Sequence, residues 1–148
     1  MELATETHVR VRYAETDNMG VVYYSNYLVW MEVGRVELCR ALGFEYREME
    51  RQDGILLAVA EANCRYLAPA RFDDQVIVRT WVEKANRRMA MFGYEMRLAG
   101  HDVKLAAGYT KHLFLTRDMR PASLPEKYWS MFGIRAANAF YDRSTVSR

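Results

Sequence analysis

Several things are scarce in this chain, and each scarcity removes a class of function. There are only two cysteines, Cys39 and Cys64, each in apolar surroundings. They read as reduced core thiols rather than a disulfide framework, which suits a cytoplasmic protein. The three histidines stand singly, so no metal-ligand spacing is present and no metal is expected. Three prolines and eight glycines in 148 residues leave no linker, repeat or low-complexity segment. No apolar run approaches the roughly 20 residues needed to cross a bilayer. The opening residues 1–6 are acidic without a long apolar stretch, so no signal peptide is expected. Neither charge sign dominates: 21 Lys and Arg face 19 Asp and Glu, for a net charge of +2. That is too little to point to nucleic acid as a partner. No glycine-rich phosphate loop and no Gly-x-Ser-x-Gly elbow occur, which argues against a nucleotide fold and a serine triad.

What is present is an ordinary folding domain. Hydrophobic residues make up 51% of the chain and charged residues 27%, enough for one core. The whole of 1–148 reads as a single domain, with a loose polar tail from about residue 134. Residues 8–13 alternate Val9, Val11 and Tyr13 against His8, Arg10 and Arg12, the pattern of a half-buried strand. A loop with Asp17 and Gly20 follows. Ser25 or Asn26 then caps a helix whose apolar stripe is Tyr27, Leu28, Met31, Gly34, Leu38 and Leu42, with Gly43 as its stop. Gly34 in mid-helix costs about 1 kcal/mol against alanine, which a close contact with a strand or helix would explain. Glu32 and Arg35 stand three apart and can pair.

Residues 44–54 are charged and read as a loop with at most a short helical turn. Extended segments follow at 55–67, 75–84, 89–98 and 103–115, the last three joined by hairpin turns at 85–88 and 100–102. Val76, Val78, Thr80 and Val82 mark one face of the second segment. Phe92, Tyr94, Met96 and Leu98 mark the third. Val103, Leu105, Ala107, Tyr109, Leu113 and Leu115 mark the fourth. A short helix is expected at 126–132 after Pro125. One long helix and hairpin-linked strands define an α+β domain, an antiparallel sheet with the helix packed on one face. The small residues Ala58, Ala60 and Ala62 suit close pairing with a second copy, so a homodimer is expected.

The chemistry concentrates at the Asp17 loop. The start of a long helix carries free N–H groups and partial positive charge, so it can polarise a carbonyl or hold an oxyanion. A carboxylate beside it makes a plausible hydrolytic pair. The aromatics Tyr23, Tyr24, Tyr27 and Trp30 are read mostly as packing, Tyr24 excepted. Arg87 and Arg88, on a hairpin, could serve phosphate oxygens or simply face solvent. Lys111, Arg117 and Arg120 are weaker candidates for the same task.

The run Asp17-Asn18-Met19-Gly20-Val21-Val22-Tyr23-Tyr24-Ser25-Asn26-Tyr27, followed by Glu32 and Arg35, resembles the signature of the 4-hydroxybenzoyl-CoA thioesterase family. Tyr66-Leu67-Ala68-Pro69-Ala70 and Phe72-Asp73-Asp74 extend the likeness over most of the chain. That family includes the acyl-CoA thioesterases associated with the Tol-Pal system. Many of those carry histidine where this chain has Tyr24, a position that here is similar to the 4-hydroxybenzoyl branch.

The resemblance implies the hotdog fold, a curved antiparallel sheet wrapped around one long helix. It implies Asp17 as nucleophile or general base, Tyr24 as backbone donor to the thioester carbonyl, and Gly20 as the residue that shapes the loop. Substrate contacts are expected from Val22, Tyr23, Arg87 and Arg88, and from Asn63 and Arg65 as a wall supplied by a second subunit. The implied substrate is a coenzyme A thioester, with no separate cofactor. An acyl carrier protein is the alternative donor of the acyl group, and a catalytically silent acyl-binding module is the alternative outside enzymes. A dimer or a dimer of dimers is the implied assembly.

Overall fold

In a computed structural model, residues 3–146 are described. Six strands form one antiparallel sheet: β1 (Ala4–Arg10), β2 (Leu56–Tyr66), β3 (Gln75–Ala85), β4 (Met89–Leu98), β5 (Lys104–Leu115) and β6 (Tyr141–Asp142). Their order across the sheet is β1-β3-β4-β5-β2, with β6 pairing β3 beyond the end of β1. The long helix α1 (Asn26–Leu42) lies on one face. A second helix, α2 (Tyr46–Asp53), and a one-turn helix, α3 (Arg143–Val146), complete the main elements with a 3-10 segment at Glu126–Phe132. This is the α+β arrangement expected, one sheet and one central helix.

The inner face follows from the register. Thr80 pairs with Tyr94, Tyr94 with Gly108, and Gly108 with Cys64. Val76, Val78, Val82, Phe92, Tyr94 and Met96 are fully or almost fully buried on that face. Tyr27, Trp30, Met31 and Leu38 press on it from α1. Gly34 is the point of closest approach. A Cβ there would stand 2.3 Å from Thr80 Oγ1, so the helix reaches the strand only because the side chain is absent. Ser25 precedes the first turn, as expected, but its side chain makes no capping bond; Gly43, at φ 112°, ends the last turn, as expected.

Four readings change. β1 begins earlier than expected and ends at Arg10, and Tyr13 belongs to a 3-10 turn and is 76% exposed. On β5 the core face is Ala106, Thr110, His112 and Phe114, while Leu113 points outward. A register shift between Met96 and Arg97 buries both Leu105 and Ala106, which inverts the apparent alternation beyond that point. The segment after Gly43 forms a true helix, α2, closed by Gly54 and by Arg117, whose guanidinium donates to the carbonyls of Glu50 and Arg51. The tail is not loose as far as it is described: Tyr141 is buried and pairs with Ala85.

Candidate active site

The site is built by a loop held at both ends. Thr16 and Val22 form a bridge that closes it. Inside it, the Asp17 amide donates to Val21 O and the Gly20 amide to Asp17 O, both at 2.9 Å. Gly20 takes φ 80°, a left-handed conformation that other residues rarely hold. Asp17 Oδ1 accepts the Met19 amide at 2.8 Å, which fixes the carboxylate against its own loop. Its second oxygen accepts from no group among the described residues. Val22 then anchors the loop to the connection between β2 and β3, its amide on Ala70 O at 2.9 Å and its side chain in the core.

Glu15 is the member that sequence reasoning missed. Its carboxylate is buried, accepting the Arg12 amide at 2.7 Å and the Trp30 indole N–H at 3.0 Å, with the Arg12 guanidinium at 3.5 Å. Its backbone oxygen accepts the Tyr23 amide at 2.8 Å and the Asn26 side-chain amide at 2.9 Å. One residue thus ties the Asp17 loop to the start and second turn of α1. Burial pushes its pKa up, but the Arg12 amide, the Trp30 indole and the Arg12 guanidinium outweigh burial and hold it below the usual range.

The helix start has an uneven distribution of bonds. The amides of Asn26, Tyr27 and Leu28 donate to the carbonyls of Tyr23, Tyr24 and Ser25. The Tyr24 and Ser25 amides donate to no group among the described residues. Tyr24 and Asp17 line one cleft of about 410 Å³, with Val21, Val22, Tyr66 and Leu67 among the walls. Tyr23 lines it too, and its phenol pKa is raised by the hydrogen bond to Tyr24, with the charge of Asp17 a lesser cause. The cleft therefore combines a carboxylate oxygen, a polarising amide and mostly apolar walls, the parts that hydrolysis of an acyl group requires.

Other expected site residues lie elsewhere in the chain. Asn63 and Arg65 pair with Tyr109 and Ala107, on the sheet face away from α1. Arg87 and Arg88 sit past the far end of β3, a strand length of about 33 Å from the end nearest Asp17. The structure of one chain does not bring these four to Asp17. Glu32 and Arg35 form no ion pair within 4 Å among the described residues. Instead they line a second cavity of about 280 Å³ with Cys39, Tyr46 and Leu57. His112 is buried against Thr110 Oγ1 at 2.8 Å, and burial, with the Arg35 charge, pushes it down to about 4, so it is neutral at pH 7.

The fold and the relatives it matches make this a thioester hydrolase of the hotdog architecture. The chain belongs to the thioesterase superfamily, whose family model matches residues 19–104. It is 45% identical over 92 residues to the putative acyl-CoA thioesterase YneP of Bacillus subtilis, an alignment covering 62% of this chain and 66% of that one. It is 29% identical over 125 residues to the acyl-CoA thioesterase YbgC of Haemophilus influenzae, covering 84% and 90%. Among solved structures, the DHNA-CoA thioesterase of Staphylococcus aureus superposes with a TM-score of 0.79 at 35% identity, over 86% and 84% of the two chains. The 4-hydroxybenzoyl CoA thioesterase of a Pseudomonas species gives 0.78 at 16% identity over 86% and 98%, a likeness of fold.

Proposed function

We propose that this protein hydrolyses acyl-CoA thioesters to a free carboxylic acid and coenzyme A. The observation that carries this reading is the shared cleft of Asp17 and Tyr24, where one Asp17 carboxylate oxygen and the Tyr24 amide have no partner among the described residues. The thioester carbonyl oxygen sits on the Tyr24 amide, which gains strength as negative charge develops there. Asp17 then acts in one of two ways. It attacks the carbonyl carbon, expelling coenzyme A thiolate and leaving an anhydride that water hydrolyses. Otherwise it takes a proton from the water that attacks. The apolar walls take the acyl group.

The assembly belongs to the same proposal. β2 is an edge strand, and Val59, Tyr66 and Leu67 on or beside it, with Leu28, Val29 and Val33 on α1, are exposed apolar side chains. A second copy pairing antiparallel along β2 covers them and joins the two sheets. That pairing sets the Tyr66 end of one β2 beside the Leu56 end of the other. The arginines at the latter end of the sheet, Arg87 and Arg88 with Arg117 and Arg120, then approach the cleft of the neighbouring copy and serve the nucleotide phosphates.

A panel of aliphatic and aromatic acyl-CoAs, assayed by free thiol release, tests the activity. Turnover that collapses in Asp17→Asn supports the reading, and full activity in that variant removes Asp17 from its role. Arg87→Ala/Arg88→Ala should weaken binding of acyl-CoA but not of the matching acyl-pantetheine, which lacks the nucleotide. Equal effects on both would reject the phosphate role. If only acyl carrier protein thioesters turn over, the arginines are its docking face.

A further inference from the structure

We infer that the Tyr66 hydroxyl is a positioning group for catalysis, holding the Tyr24–Ser25 peptide so that the Ser25 amide joins the Tyr24 amide as a second donor to the thioester oxygen. The inference rests on the thioesterase reading and adds to it a residue from the opposite side of the cleft.

The geometry is as follows. Tyr66 ends β2, 42 residues along the chain from Tyr24, yet its O–H donates to Tyr24 O at 2.9 Å. Its ring meets those of Tyr24 and Tyr27 edge-on, at 6.4 and 5.1 Å between centroids. Tyr66 and Tyr24 both line the cleft with Asp17. The carbonyl that Tyr66 bonds belongs to the same peptide unit as the Ser25 N–H. A second bond reaches that carbonyl, the Tyr27 amide at 3.3 Å. The preceding unit repeats the pattern. Its carbonyl, Tyr23 O, accepts the Asn26 amide at 3.0 Å, and its N–H is that of Tyr24. At the helix start, both peptides whose N–H has no partner among the described residues therefore have a bonded carbonyl. Accepting a bond at the carbonyl polarises the unit and strengthens its N–H as a donor. It also fixes the plane of the peptide, so the donor need not reorganise as charge develops. Burial, Cys64 and the neighbouring phenols push the Tyr66 hydroxyl up to about 12, so it remains a donor throughout the working pH range.

Two substitutions separate this role from simple packing. Tyr66→Phe keeps the ring and its edge contacts and deletes only the hydroxyl. Ser25→Pro deletes the Ser25 amide proton, which has no partner among the described residues, at a position whose φ of −67° already matches proline. Because proline also removes the hydroxyl and constrains Tyr24 before it, Ser25→Ala, which keeps the amide, and the Tyr24 amide resonance are read beside it. On a thioester the wild type turns over, Tyr66→Phe should lower kcat by roughly three- to tenfold with KM unchanged within about twofold. Ser25→Pro should lower kcat by at least about tenfold, less than a full oxyanion donor typically costs because Tyr24 remains. The double variant should be no slower than Ser25→Pro by more than about twofold, since both changes remove the same interaction. The amide resonance of Ser25 should shift in Tyr66→Phe while those of α2 stay in place.

Unchanged kcat in Tyr66→Phe would overturn the inference, as would full additivity in the double variant or a rise in KM alone. Should Ser25→Pro fail to fold, the kcat of Tyr66→Phe and the Ser25 resonance decide the matter. A wild type that hydrolyses no thioester would instead overturn the reading beneath it, a result distinct from active variants indistinguishable from an active wild type.

Discussion

Asp17 and Glu15 are two residues apart, and their side chains have opposite surroundings. The Asp17 carboxylate lies at the cleft with one oxygen spare, whereas that of Glu15 is buried with both oxygens engaged. Asp17→Asn keeps size and removes the charge, so thioester turnover should fall by at least about 100-fold with the fold intact, as read by thiol release beside circular dichroism. Glu15→Gln should destabilise the protein by roughly 1–3 kcal/mol, because an amide NH₂ must then face the N–H donors of Arg12 or Trp30. Glu15 has a pKa lowered on folding, so its contribution is complete above the ordinary carboxylate value and is lost as pH falls through the folded one. The gap in urea midpoint between wild type and Glu15→Gln should hold steady from about pH 7 to pH 5 and close below about pH 4. A gap independent of pH would mean that the carboxylate charge is not what stabilises. Asp17 was legible in the sequence because it precedes a glycine loop and a helix start. Glu15 was not, because its partners are an amide three residues back and an indole fifteen residues on. The available signal was Trp30 itself, on the core stripe of a helix with an N–H that burial obliges to find an acceptor.

At the scale of elements, α1 and β3 were readable because each buries a regular stripe, although on α1 the stripe runs through Trp30 and Cys39 and leaves the expected Leu28 exposed. Gly34 is the place where they meet. Alanine gains about 1 kcal/mol of helix propensity, but its methyl would meet Thr80 Oγ1 at 2.3 Å and Val78 Cγ1 at 3.0 Å. Overpacking of that kind costs about 1–3 kcal/mol, so Gly34→Ala should lower stability by about 1 kcal/mol in chemical denaturation. Adding Thr80→Ala should recover part of the loss, since it removes the obstructing atoms. A neutral single variant would show that the helix can shift at no cost. β5 and α2 were misread for identifiable reasons. A register shift beside β4 changes which residues of β5 face inward, and no residue of β5 announces it. In α2 only Met49 is fully buried, so there was no stripe to find. The helix is held from outside its own sequence, by Arg117 on its last carbonyls.

At the scale of the molecule, the two edges of the sheet are treated differently. Beyond β1, the edge of β3 is continued by β6, whereas β2 carries no strand on its outer side among the described residues. If a second copy pairs there, Val59→Lys should shift the sedimenting species from two chains toward one while leaving the circular dichroism spectrum unchanged. Activity should fall with it, because the arginines proposed for the nucleotide would no longer reach the neighbouring cleft. A variant that stays at the wild-type mass, or a wild type that sediments as one chain, would rule out this edge as the contact.

The sequence alone determined the class of fold and pointed to the Asp17 loop as the candidate site. Alternation, helical spacing and capping are local patterns, and the Asp17 loop is a continuous run of residues whose likeness could be read directly. The family match and the inner faces of β3 and β4 agree with the reading of the fold. Tertiary structure decided what depends on residues far apart in the chain. It set the inward face of β5, the burial of Glu15 under Trp30, and the bond from Tyr66 to the peptide of Tyr24. It also separated Arg87 and Arg88 from Asp17 by the length of a strand. Each of these depends on register and on the direction of a side chain across an interface. A register is fixed by the summed packing of a whole sheet, and no single segment contains that sum.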